Sequence, residues 1–215
     1  MFASIEGMLT DVDRILADER LQLDSEEAVD LTDLISDDQD RPIIEAIHTR
    51  MFPFSYEAAA NALWTTWTSA RFDMTDNLER RDARISADCV QAVLEGDFQL
   101  NSETSHFRAK MIARRVIQSN RILMPVVILM EPMTKLASKP LTGVYLRARV
   151  WNILYNTPGD DPVASRVLYS QCTPLVIDDK DHTDRGVGAL MDLVLQTSSL
   201  RVNKDNQILE NEMIE

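Results

Sequence analysis

Apolar residues in the first half of the chain recur at three- and four-residue steps. Between residues 4 and 20, Ile5, Met8, Leu9, Val12, Ile15 and Leu16 form one stripe with acids opposite, which predicts an amphipathic helix. Asp24 followed by Glu27 reads as a capping pair for a short helix carrying Val29, Leu31, Leu34 and Ile35. Pro42 opens the next predicted helix, with Ile43, Ile44, Ile47 and Met51, and Met51-Phe-Pro-Phe54 breaks it. Ser55 caps a helix from Tyr56 to about Arg71 that bears Ala58, Ala59, Ala60, Leu63, Trp64 and Trp67. Asp76 and Glu79 introduce another, with Leu78, Ile85, Cys89, Val90, Val93 and Leu94, ending at Gly96. From about Ser105 to Arg121, Ala109, Ile112, Ala113, Val116 and Ile117 make an apolar helical face. Lys110, Arg114 and Arg121 cluster opposite, with Arg108 and Arg115 at the margin, so the polar face of this predicted helix is wholly basic.

The pattern changes in the second half. Ile122 to Met130 is a continuous apolar run interrupted by Pro125, which predicts a buried strand from Val126 to Met130. Gly143 to Tyr155 alternates Tyr145, Arg147 and Arg149 with Val144, Leu146, Ala148 and Val150, a strand with one wet and one dry face. Thr157-Pro-Gly-Asp160 reads as a turn. Val167 to Gln171 and Leu175 to Ile177, split by Pro174, are short strand candidates, and Asp184 leads into a helix with Val187, Leu190, Met191, Val194 and Leu195. The expected fold class is therefore α+β: a helix-rich amino-terminal part, then a smaller mixed unit with a few strands and a closing helix. Its expected organisation is an acidic arm (1–40), a helical region (41–121), a small α+β unit (122–202) and a polar, acidic, extended tail (203–215), with one continuous domain as the alternative.

Charge sharpens this division. The 215 residues carry a net charge of −13, unevenly placed. Residues 1–40 hold thirteen acids against two arginines, a net of −11, whereas residues 104–150 hold nine bases against Glu131, a net of +8. Such blocks can pair within one fold or between subunits. With 45% hydrophobic and 27% charged residues, the composition excludes wholesale disorder. Two cysteines make no disulfide framework, and no apolar run is long enough for a membrane-spanning helix. Acids at Glu6, Asp11 and Asp13 argue against a secretory leader, so a cytoplasmic location is expected, or a virion if the source is viral.

Reaction motifs are missing. There is no Gly-x-Ser-x-Gly, Cys-x-x-Cys or His-Glu-x-x-His, and Gly186-Val-Gly188 lacks the remaining residues of a nucleotide fingerprint. Asp178, Asp179, Asp181, His182 and Asp184 offer oxygen ligands for Mg²⁺ or Ca²⁺, but without the spacing of a calcium loop they read as a solvated loop and helix cap. Cys89 and the Trp64/Trp67 pair read as core, and His48 as a helix-boundary residue.

These features favour a non-enzymatic assembly subunit, such as a virus-particle component, with protein partners and neither cofactor nor metal. Its contact residues would be Arg108, Lys110, Arg114, Arg115 and Arg121 on the basic helix, and Leu9 and Val12 on the apolar face of the arm. The arm of one copy would meet the basic patch of another. Two alternatives stand beside it: a small enzyme with its site at Asp178–Asp184, and a nucleic-acid-binding or regulatory protein using the basic segment 105–121.

Overall fold

The stretch around Ile43, Ile44 and Ile47 is not a helix face but a strand with apolar side chains on both sides, and this substitution of strand for helix recurs along the chain. The computed structural model describes residues 1–215 apart from 24–26, 70–77, 101–102, 133–134, 137–138, 141–142, 158–162, 177–186, 189, 193, 196–201, 204–205, 208–209 and 212–215. Two helices, α1 (Phe2–Thr10) and α2 (Val12–Leu16), and a 3-10 turn at Glu19–Leu21 lead into strands β1 (Asp30–Ser36) and β2 (Pro42–Phe52). Helix α3 (Tyr56–Thr68) follows, then β3 (Leu78–Ile85), β4 (Cys89–Leu100), β5 (Glu103–Arg114), β6 (Val116–Ile117) and β7 (Arg121–Pro132). The short pair β8 (Lys135–Leu136) and β9 (Lys139–Pro140) precedes β10 (Val144–Asn156) and β11 (Ala164–Val176). The described residues between 187 and 195, and again between 202 and 211, are helical.

Nine strands form one antiparallel sheet in the order β1-β2-β11-β10-β7-β5-β4-β3, with β6 beside β7. The first hairpin thus pairs with the last strand, so residues 30 to 176 close into one surface with helices on both faces. Against the concave face pack α3 and the C-terminal helical segment. That core joins Ala59, Leu63, Trp64 and Trp67 of α3 and Leu190, Met191 and Val194 to Val90, Phe107, Met111, Met124, Met130 and Leu146 of the sheet. Against the convex face pack α1 and α2, whose Ile5, Met8, Val12 and Ile15 meet Ile47, Ile112, Leu123, Val127, Trp151 and Tyr169.

The helix-rich expectation is therefore corrected: the chain is dominated by its sheet. The segments expected as helices around 29–35, 42–51, 78–94 and 105–121 are β1, β2, β3 with β4, and β5 with β6. A sheet covered on both faces needs apolar residues at odd and even positions alike, and such runs mimic helical spacing. In β5, Phe107, Ala109, Met111 and Ala113 enter the concave core while Ile112 is covered by the arm. The segment after 202, expected as an extended tail, is helical at its described residues. The helices expected at Tyr56 and around Leu190 are present, as are the strands at Val126–Met130 and Gly143–Tyr155, whereas the single helix expected over residues 4–20 is two short helices, α1 and α2, and a 3-10 turn.

The prolines sit where the ladder has a gap. Pro125 pairs with Trp151 on one side, but β5 ends opposite Val126 and β6 resumes opposite Leu123. Pro174 pairs with Leu146, beyond the last β2 partner at Cys172. Neither proline breaks its strand, because only one side of the ladder asks for an N–H there.

Candidate functional site

The sheet is not sealed in its middle. On β7, β10 and β11 the even-numbered side chains face the concave side, and five of them in adjacent rows stay partly exposed: Ile128, Ala148, Val150, Ser170 and Cys172. Flanking positions on the same strands, such as Met124, Leu146 and Leu154, are buried. The partly exposed residues are small or medium-sized, and Ile128, Val150 and Cys172 pack against the concave core, which leaves an incompletely covered strip, the trough, in the centre of the sheet. Exposed apolar atoms in mid-sheet forgo burial worth about 25 cal/mol per Å².

One end of the trough is polar. The next cross-strand row runs His48–Leu168–Asn152–Met124. Arg166 lies one same-face position further along β11, buried to 2% exposure. Its Nε and Nη2 donate to Asn152 Oδ1 at 3.2 and 2.7 Å, and its Nη1 donates to Asn206 Oδ1 at 2.8 Å. Asn206 belongs to the C-terminal helical segment, and four residues on, Glu210 pairs with Arg50 of β2 at 2.9 Å. Arg166 and Arg50 therefore fasten the end of that segment over the sheet.

His48 is 5% exposed; Asp30 Oδ1 lies 3.0 Å from its Nδ1, and its Nε2 has no hydrogen-bond partner. Burial is the main cause that lowers the imidazole pKa below its ordinary value; the Arg166 charge lowers it further and Asp30 opposes both. A buried polar group without a partner is rare and calls for a reason. The unfolded imidazole takes up its proton near 6.5, the folded one only at lower pH. Stability is then complete above that pH, falls as pH drops into the window between the two values, and levels off below the folded value. In urea unfolding from neutral pH to about one unit below 6.5, His48→Leu is expected to have a flatter pH dependence than the wild type; an unchanged slope would show His48 to be accessible.

The residues expected to form a basic helix do not share one. Arg108, Lys110 and Arg114 are on the outer face of β5, Arg115 follows its end, and Arg121 starts β7. Arg108 lies 3.5 Å from Glu95, Arg114 pairs with Glu6, Arg115 donates to Asn61 at 2.5 Å, and Arg121 pairs with Asp13 at 2.8 Å. Glu6 and Asp13 belong to the acidic arm, so the opposite charges meet within one molecule. Val12 is 2% exposed and Leu9 packs beside it, both on the chain's own sheet. The Asp178–Asp184 cluster and the turn at 158–160 lie outside the described residues. Among the described residues no group of three or more His, Cys, Asp or Glu is placed to hold a metal ion, and no helix is long and apolar enough to cross a membrane.

Sequence reasoning missed His48, Asn152, Arg166 and Asn206 as a group. Asn152 and Arg166 did carry a signal, since each interrupts an apolar strand at a position whose neighbours are core.

No family model matches the chain, and no curated protein matches its sequence. Solved structures resemble it in fold. The ZhuI aromatase/cyclase from Streptomyces sp. R1128 is 14% identical, with 79% of this chain and 93% of that one covered at a TM-score of 0.46. Norcoclaurine synthase from Thalictrum flavum is 14% identical, covering 86% and 99% at 0.42. Human StAR-related lipid transfer protein 5 is 8% identical, covering 97% and 97% at 0.42. Two of these are enzymes by title and the third a lipid transfer protein. The acidic arm, expected to meet a neighbouring copy, is docked on its own sheet, and this corrects the expectation of an assembly or virion subunit.

Proposed function

We propose that the chain binds a small, largely apolar molecule in the concave trough, with a polar group of that molecule directed at His48. The observation that carries this reading is the pair of adjacent cross-strand rows in mid-sheet, Ala148 with Cys172 and Val150 with Ser170, that stay partly exposed between buried neighbours such as Leu146 and Leu168. Their small volumes supply the space and Ile128 an apolar wall. His48 supplies the polar contact. Asp30 beside Nδ1 favours the tautomer protonated there, which leaves Nε2 to accept a hydrogen bond from a hydroxyl or similar donor. Access requires the end of the C-terminal segment to lift, parting Asn206 from Arg166 and Glu210 from Arg50. The reading is one of binding, with His48 placed to hold a polar group of the ligand.

The test uses 1-anilinonaphthalene-8-sulfonate as probe, with its fluorescence followed on titration into the native protein. Binding is expected for the wild type and should weaken by about tenfold or more, a change of about 1.4 kcal/mol, when Ala148→Trp fills the trough. Circular dichroism confirms that the variant is folded. Equal probe binding by wild type and Ala148→Trp would overturn the reading.

A further inference from the structure

On the opposite, convex face, β10 presents Tyr145, Arg147 and Arg149 in line with Trp151. Both arginines are half-buried, and the Nε of each is sealed from solvent without a hydrogen-bond partner. Same-face neighbours on a strand are about 7 Å apart, and the Arg147 charge acts on Arg149. Several other arginines of this face meet acids: Arg114 with Glu6, Arg121 with Asp13, and Arg20 with Glu45 at 2.7 Å. Among the described residues no carboxylate pairs with Arg147 or Arg149. In a chain with a net charge of −13, acids are plentiful, yet none is placed against this pair. Asp11, the nearest acid to act on Arg149, is itself 3.5 Å from Arg14. Glu131 accepts from Tyr145 at 3.2 Å. Arg149 donates to Gln171 and lies 5.4 Å from the Trp151 ring, which fixes its orientation. Two cross-strand steps from Arg147, with Leu129 between, stands Lys110, which also lines an open groove of about 220 Å³ with Arg84, Asp82 and Ile112.

We infer that Arg147 and Arg149 form a binding site for a phosphate group, on a soluble phosphomonoester or on a lipid headgroup, distinct from the trough. Two adjacent, partly desolvated guanidinium groups repel each other until an anion lies between them. Each keeps terminal Nη–H donors that can reach phosphate oxygens, and desolvation strengthens the resulting charge-assisted bonds. Lys110 adds a third positive charge at the rim. The site is independent of the concave trough, since the sheet separates them.

The test compares the wild type with the double variant Arg147→Gln, Arg149→Gln. Calorimetric titration with glycerol 3-phosphate reads the soluble source, and flotation with phosphatidylcholine vesicles, with and without phosphatidic acid, reads the lipid source. Binding of either phosphate by the wild type, weakened at least about tenfold in the variant, supports the site, and the arm that responds identifies the source. The variant should melt no lower than the wild type, because a like-charge pair has been removed. Absence of binding in both arms, or equal binding by the double variant, would overturn the inference.

Discussion

Trp151→Ala is expected to lower the unfolding free energy by about 3–5 kcal/mol, the range for removing a large buried aromatic side chain. Trp151 is 2% exposed and lies at the centre of the convex core. It meets Tyr169 edge-on at 5.3 Å, and its Nε1 donates to the Met8 carbonyl at 2.8 Å. That bond reaches from mid-sheet to the last turn of α1 and holds the acidic arm in place. Removing the indole therefore leaves a cavity and takes away one of the two hydrogen bonds that the Met8 carbonyl accepts, the other coming from Asp11 N at 3.2 Å. Trp151→Phe keeps most of the ring volume and loses the hydrogen bond, so it should cost much less, with about 1 kcal/mol for the bond itself. Urea unfolding at neutral pH measures both. A cost for Trp151→Ala under about 1 kcal/mol, far below the cavity range, would mean that the arm is not docked on this sheet in solution.

Arg166→Met should cost about 3 kcal/mol, by the scale of hydrogen bonds to charged groups. Methionine fills similar volume, so packing is largely kept, but the side-chain oxygens of Asn152 and Asn206 lose the guanidinium that serves them both. Lysine is a poor substitute, because one ammonium cannot reproduce the planar fork that reaches both amides. Removing the polar partners too, with Asn152→Leu and Asn206→Leu, should recover part of the loss, since no stranded amide then remains. Hydrogen exchange gives the local readout: amides at 206, 207, 210 and 211 should exchange faster in Arg166→Met, while those of β7 are unchanged. Uniform acceleration in both places would assign Arg166 to global stability rather than to fastening the C-terminal segment.

How much of this was legible in the sequence depended on how each element is buried. Helix α3 was readable because Ser55 caps it, with its Oγ accepting from Ala58 N at 3.2 Å, and because only one face is apolar. Strand β10 was readable because its wet face, Tyr145, Arg147 and Arg149, lies on the part of the convex surface beyond the arm. Strands β2 and β5 were not. In β2, Ile44 serves the concave core and Ile47 the convex one, and a residue string that must satisfy two cores loses the alternation that identifies a strand. The error in β5 had functional consequences, since a basic helix face suggested a partner where there is a strand whose Arg114 pairs with the chain's own Glu6.

The charge blocks themselves were legible; their pairing was not, because contact between residues 6 and 114 is set by topology. The same holds for the polar end of the trough. His48, Asn152, Arg166 and Asn206 come from β2, β10, β11 and the C-terminal segment, and no spacing rule links them. Their common mark in the sequence is a polar residue inside an apolar run, which is also what a solvent-facing strand position looks like.

The central claim, that the concave trough takes up an apolar molecule, is tested most directly by ¹⁵N–¹H correlation spectra recorded during titration with 1-anilinonaphthalene-8-sulfonate. The expected result is a set of shifts confined to Ile128, Ala148, Val150, Ser170, Cys172 and His48, with exchange broadening at residues 206, 207, 210 and 211 as the end of the C-terminal segment lifts. Shifts confined to the convex face around the arm and β5, or no shifts at all at saturating probe, would contradict it.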